Sequence, residues 1–208
     1  MPWVLDLLFP RKCYDCGKIG QYFCNSCRQQ ILINSLEPQS NRLSLFKYQK
    51  GIKQAILDLK YNFVTDLVDE LAELSADSIK GHYSHLWQFW QQNHYLMTAV
   101  PLHWWRYNWR SFNQADLLAK NIARRLKLDY RSDLLIKTRH TSPQARLQKR
   151  ISRLKNVDHA FALNPSVKNQ IGNLILFDDV YTTGSTLRSA AEVLKTYCQD
   201  IWFLTLAG

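Results

Sequence analysis

The stretch Asn173–Thr186, NLILFDDVYTTGST, limits the possible folds more than any other part of this chain. Leu174–Phe177 is a continuous apolar run of the kind a strand buried on both faces needs. Asp178 and Asp179 close that run. Val180 and Tyr181 lead into a turn made of Thr182, Thr183, Gly184, Ser185 and Thr186, and helical spacing follows. In open α/β sheets, ligands bind beyond the carboxyl ends of strands. A helix N-terminus offers unpaired N–H groups and the positive end of its dipole to a phosphate. Gly184 lets the backbone come close to such a group, and the hydroxyls around it add donors. The two carboxylates can accept hydrogen bonds from two ribose hydroxyls, directly or through Mg²⁺. The stretch has no Gly-Lys-Ser/Thr, so it is not a Walker A loop. The plainer alternative is a capped helix after a strand, with both acids in a solvated turn.

The rest of the chain fits the same class. Ile52, Ala55, Ile56 and Leu59 have helical spacing, and Phe63–Ile79 continues helically through Leu67, Leu71 and Leu74. Leu96–Val100 reads as a buried strand closed by Pro101, Gln114–Leu126 as a helix and Leu134–Ile136 as a strand. The spacing further predicts a strand at Asn173–Phe177, a helix over Thr186–Cys198 that carries Cys198 as a small core residue, and a strand at Ile201–Leu206. Strands alternating with helices predict a mostly parallel sheet covered by helices on both faces. With 46% hydrophobic residues the chain can build a full core, which excludes global disorder.

Charge is unevenly placed. Pro101–Lys155 carries 14 Lys and Arg against 3 Asp and Glu, and the remainder 13 against 14. One segment therefore supplies the whole net charge of +10. It suits pyrophosphate or a nucleic-acid backbone, or else it is a solvated helical face.

Four of the five cysteines lie at Cys13, Cys16, Cys24 and Cys27. Two C-x-x-C knuckles can close a tetrahedral four-thiolate shell, which Zn²⁺ prefers, and a closed shell is structural. Gly17 follows the first pair, where a knuckle turn needs a positive φ. A redox pair, a disulfide pair or an iron–sulfur cluster are the alternatives. Residues 1–35 are expected to form this module and residues 36–208 the α/β domain, with the polar stretch Ser35–Asn41 as a linker. The N-terminus is a poor signal peptide, and no apolar run reaches the roughly 18 residues a membrane span needs. A cytoplasmic protein is the expectation.

FDDVYTTGST resembles the phosphoribosyl pyrophosphate (PRPP) motif of type I phosphoribosyltransferases. Over nearly the full length the chain resembles one branch, the ComF family of competence proteins. The blocks that carry this are DLLFPRKCYDCG with CNSC, FKYQKGIKQAILDLKY, VPLHWWRYNWRSFNQADLLAK, TRHTSPQARLQKRISRLKNVDHAF and the PRPP motif. The resemblance implies that Thr182–Thr186 hold the 5-phosphate and that Asp178 and Asp179, the catalytic candidates, meet the ribose hydroxyls. Pro101 and Leu102 would open the pyrophosphate loop, with Arg106 and Arg110 adding charge. Thr138–Arg153 would be a basic flexible segment containing Arg139, Gln144 and Arg150. Where the family reads Arg-Gly-Phe-Asn, this chain has Arg110-Ser111-Phe112-Asn113.

The resemblance implies a DNA-uptake protein of natural transformation that binds PRPP with Mg²⁺, and single-stranded DNA. Arg106, Arg110, Arg139, Arg146, Lys149, Arg150 and Arg153 are the nucleic-acid candidates, with Trp104, Trp105 and Trp109 available for stacking. A helicase or another DNA-processing protein is the implied partner. An active phosphoribosyltransferase with an unknown acceptor base is the alternative, and a purely structural adaptor is a third reading.

Overall fold

The structure is a computed structural model that describes residues 10–33, 36–102, 112–138 and 160–208. Helix α1 (Asn25–Ile33) follows the knuckles. Strand β1 (Arg42–Phe46) leads to helices α2 (Lys50–Tyr61), α3 (Leu67–His82) and α4 (Ser84–Gln92). Strand β2 (Leu96–Ala99), helix α5 (Gln114–Leu126) and the short strands β3 (Asp129–Tyr130), β4 (Leu135–Lys137) and β5 (Phe161–Leu163) come next. The chain ends with β6 (Gly172–Val180), helix α6 (Ser185–Leu194) and β7 (Cys198–Ala207).

Five strands form one sheet in the order β1-β7-β6-β2-β3. Every pairing in it is parallel. This is the parallel α/β sheet that the alternation of strands and helices predicts. Central β6 has neighbours on both sides, and Leu174–Phe177 is wholly buried, which is why that run does not alternate with polar residues. Side-chain alternation still assigns each residue to a face. Ile175 and Phe177 join the core built from α2, α3, α4 and α5, whereas Leu174 and Leu176 join Leu187, Ala190 and Leu194 of α6 and Phe161 of β5. Helices thus cover both faces.

Helix α5, after β2, and α6, after β6, pack on opposite faces. The adjacent carboxyl ends of β2 and β6 therefore form a topological switch point, the place where open α/β sheets bind ligands.

The structure differs from the sequence reading at three places. Cys198 pairs with Gly172 at the start of β7 and is not in a helix. Helix α6 stops at Leu194 because Tyr197 N–H turns back to the Leu194 carbonyl (2.8 Å) and commits the next residues to the sheet. Burial raises the Cys198 thiol to about 11, in keeping with a small packing residue. The predicted helix from Phe63 begins only at Leu67. Phe63 takes a left-handed φ of 56°, and the N–H groups of Asn62 and Val64 both turn back to the Asp58 carbonyl, which ends α2. Residues 36–41 are not a free linker: Phe203 N–H donates to the Asn41 carbonyl (2.8 Å), and Asn41 Nδ2 donates to Asp200 Oδ1 (2.7 Å). The strand expected at Leu134–Ile136 corresponds to β4, which pairs antiparallel with β5 outside the main sheet.

Candidate functional site

The candidate site lies at the carboxyl ends of β2 and β6, where Val100–Leu102 follow the first strand and Tyr181–Gly184 the second. At β6 the strand places Asp178 and Asp179 on opposite faces. Asp179 is only 6% exposed, and both of its oxygens are engaged. Oδ1 accepts from Lys60 Nζ of α2 (2.7 Å) and Oδ2 from Gln114 Nε2 of α5 (2.8 Å). Asp178 lies on the other face, in register with Thr205 of β7, and its Oδ1 accepts the Asp179 N–H (2.9 Å). Burial and the neighbouring Asp179 charge push the Asp178 carboxyl up to about 7, while the Asp179 N–H, Lys60 and Lys137 pull the other way.

Past the acids, Tyr181 N–H stays in the sheet through the Ala207 carbonyl (2.8 Å). Thr182, Thr183 and Ser185 are exposed. Gly184 is left-handed, with φ 69°. A Cβ there would lie 2.6 Å from Tyr181 Cε2, so the turn needs glycine for both reasons. The first bond inside α6 is from Arg188 N–H to the Gly184 carbonyl (2.9 Å), and the amides ahead of it need partners from outside the helix. Thr183 Oγ1 receives Ser185 N–H at 3.4 Å, a long bond, and Arg188 donates to the Thr183 carbonyl. The result is an exposed, hydroxyl-lined turn at a helix N-terminus.

On the β2 side, Pro101 and Leu102 are half-buried. Val100 N–H donates to the Phe177 carbonyl (2.9 Å), and Asn113 Nδ2 to the Val100 carbonyl (3.1 Å). Asn113 also caps α5 by accepting Ala115 N–H (3.1 Å), so the two ends of the intervening loop are stapled together. Arg106, Arg110, Ser111, the three candidate tryptophans, Arg139, Arg146, Lys149, Arg150 and Arg153 lie outside the described residues. Thr138 and Ala160 bracket that second segment, joined by Thr138 N–H to the Ala160 carbonyl (3.0 Å).

The four cysteines converge as their spacing predicts. Their sulfur atoms all lie within 4.8 Å of one another, a group able to hold a metal ion. Gly17 has φ 76°, as the first knuckle requires. Burial opposes ionisation of Cys13, but backbone hydrogen bonds from Cys24, Cys16 and Asp15 outweigh it and bring the thiol down to about 6. Burial, reinforced by the neighbouring thiols, raises Cys27 well above the usual thiol range. The module is fastened to the sheet domain. Phe23 is buried in the main core, and Tyr22 and Phe23 N–H groups donate to Glu70 (3.3 and 3.1 Å). Tyr14 Oη donates to Asp58 Oδ2 (2.7 Å), and Arg28 pairs with Asp77 (2.9 Å). A groove of about 700 Å³ separates the knuckles from the β1–α2 turn, with Lys18, Lys47 and Lys50 on its walls.

Sequence reasoning alone misses Lys60 and Gln114. Both stand inside the blocks quoted above, in LKY and FNQ, but a helical Lys and a Gln at a helix start carry no signal of their own. Only the packing of α2 and α5 against β6 brings them to Asp179.

No protein-family model matches the chain. It is 29% identical over 198 residues to Competence protein F of Haemophilus influenzae, covering 88% of this chain and 78% of that one. It is 27% identical over 212 residues to Competence protein ComFC of Bacillus subtilis, covering 91% and 81%. DNA utilization protein YhgH of Escherichia coli O157:H7 is 39% identical over 97 residues, 46% of this chain and 41% of that protein, so the match spans less than half of that relative. A hypoxanthine phosphoribosyltransferase of Staphylococcus aureus superposes with a TM-score of 0.40 and 11% identity, over 66% of this chain and 61% of that one. Among the described residues no helix is long and apolar enough to cross a membrane.

Proposed function

We propose, from the chain's similarity to competence proteins over most of its length, that it serves DNA uptake by binding two anionic ligands. The first is PRPP or a related ribose 5-phosphate, held at the carboxyl ends of β2 and β6. The second is single-stranded DNA, held along the basic segment. The observation that supports the first most strongly is the turn Thr182–Thr186, whose Thr182, Thr183 and Ser185 are exposed, with its amides at the start of α6 and Asp178 behind it. In this reading Thr182, Thr183, Gly184, Ser185 and Thr186 hold the 5-phosphate, with Val180 and Tyr181 fixing the turn. Asp178 accepts from the ribose hydroxyls, and Pro101 and Leu102 border the pyrophosphate. Mg²⁺ would arrive on the oxygens of the pyrophosphate, as it does at most phosphate sites. Zn²⁺ is the ion proposed for the four thiolates, in a structural role. A helicase or other DNA-processing protein is the partner class this implies.

An active phosphoribosyltransferase would use the same site. The ribose C1–oxygen bond would break, pyrophosphate would leave, and an acceptor nitrogen would take its place. Release of pyrophosphate on addition of any nucleobase separates that reading from ligand sensing.

The nucleic-acid reading is tested by binding a short single-stranded oligonucleotide between 50 and 200 mM salt. If the basic segment neutralises about four phosphates, affinity should fall by roughly 50-fold across that range, a log–log slope of about −3. Replacing Arg146, Lys149, Arg150 and Arg153 by Ser should flatten the slope. Binding that ignores both salt and these replacements would rule the assignment out.

A further inference from the structure

We infer that Lys60 and Gln114 are positioning residues that withdraw Asp179 from the ligand and leave Asp178 as the one acid facing the sugar. This rests on the proposed ligand reading of the site and departs from the expectation that both acids meet ribose hydroxyls. Consecutive side chains on β6 point to opposite faces, so Asp178 and Asp179 cannot both follow α6 toward the phosphate turn. Asp179 falls on the face of α2 and α5, where each of its oxygens already has a short, direct donor. A buried carboxylate held by an ammonium and an amide is costly to free, since removing it from them strands an unpaired charge in the interior.

Charge gives the arrangement a function. The proposed ligand is strongly anionic, and two ionised acids beside it would repel it. Lys60 cancels one of them. It also ties the end of α2 to the strand that leads into the phosphate turn, while Gln114 ties down the start of α5, immediately after the loop from Pro101. Around the two acids, Lys60 comes from α2, Gln114 from α5, Lys137 from β4 and Thr205 from β7. From α6, Arg188 faces Tyr181 and Thr183 instead.

The test uses the protein purified in the presence of Zn²⁺, with Mg²⁺·PRPP as the probe, read by calorimetry. Lys60→Met should weaken binding at least about tenfold, because one negative charge near the ligand is no longer cancelled. Lys60→Arg should recover affinity to within about threefold of wild type. A purely spatial role for the lysine side chain would not be rescued by a longer, branched head group. Asp178→Asn should cost at least about tenfold more than Asp179→Asn. Equal losses for the two Asp variants, or an Arg variant as weak as the Met variant, would overturn the inference.

A second readout needs no ligand, so failure of the ligand reading stays distinguishable from failure of this one. In the free protein, NMR should show the Gln114 side-chain NH₂ protected from solvent exchange. Asp179→Ala should weaken that protection and Asp178→Ala should leave it unchanged. If Gln114 exchanges freely in the wild-type protein, Asp179 is not held as described and the inference fails, whatever PRPP does.

Discussion

Removing the Zn²⁺ proposed for the four-cysteine cluster, by chelation or by Cys27→Ser, is expected to lower the melting temperature by at least about 10 °C. Structural Zn²⁺ sites are worth about 10–16 kcal/mol in isolated peptides, and part of that returns as folding free energy in a larger domain. Here the module is not a detachable appendage. Phe23 sits between the knuckles and in the main core at 1% exposure, so disordering the knuckles withdraws a large aromatic side chain. Losing a buried aromatic costs about 3–5 kcal/mol. Glu70 would lose the two backbone donors it now receives, and Asp58 would lose Tyr14. A loss of about 4 kcal/mol corresponds to roughly 10 °C for a chain of this size. Scanning calorimetry with and without chelator, alongside metal analysis for one zinc per chain, measures it. A melting temperature that does not move would mean the ion is peripheral to the fold.

Asp178→Asn is expected to do the opposite for stability while abolishing ligand binding. The Asp178 carboxyl is pushed up to about 7 by burial and by Asp179. The folded protein therefore keeps a proton that the unfolded chain releases near pH 4. Stability falls as pH rises between about 4 and 7, and above 7 the whole penalty is in force. A tenfold difference in proton affinity between the folded and unfolded states is worth about 1.4 kcal/mol. Asp178 is half-buried, so solvent screens part of the penalty. That leaves an order-of-magnitude gain of about 2 kcal/mol for the neutral amide at pH 8. The Asn oxygen can still accept the Asp179 N–H. The variant should melt about 5 °C higher at pH 8, and the gain should vanish near pH 4. A gain that is the same at both pH values would show that the acid is not burdened as described.

Much of this is legible from residue order. Leu174–Phe177 announces a strand buried on both faces because it does not alternate, and the hydroxyl-rich turn with Gly184 announces a helix start open to an anion. The cysteine spacing announces the cluster, and Gly17 its turn. What cannot be read is anything set by contact between distant segments. The switch point depends on strand order, which no local pattern encodes. The separation of Asp178 from Asp179 follows from strand alternation, yet the partners that make it matter, Lys60 and Gln114, lie 119 and 65 residues away in the chain. Residues 36–41 look like a linker by composition, but Asn41 ties them to the final strand through its carbonyl and its side-chain amide. Cys198 looks helical because the spacing of α6 runs on past the point where Tyr197 turns the chain.

All of the proposed ligand chemistry depends on the turn from Tyr181 to Thr186 cradling the phosphate of a sugar. Calorimetric titration of the wild-type protein with Mg²⁺·PRPP, set against Gly184→Ala, puts that dependence to the test. Saturable binding of one ligand per chain is expected for the wild type. In the variant the added Cβ displaces Tyr181 and spoils the turn, so affinity should drop at least about 30-fold. No heat of binding at millimolar ligand, or a variant that binds as tightly as wild type, would show that the turn is not a phosphate cradle.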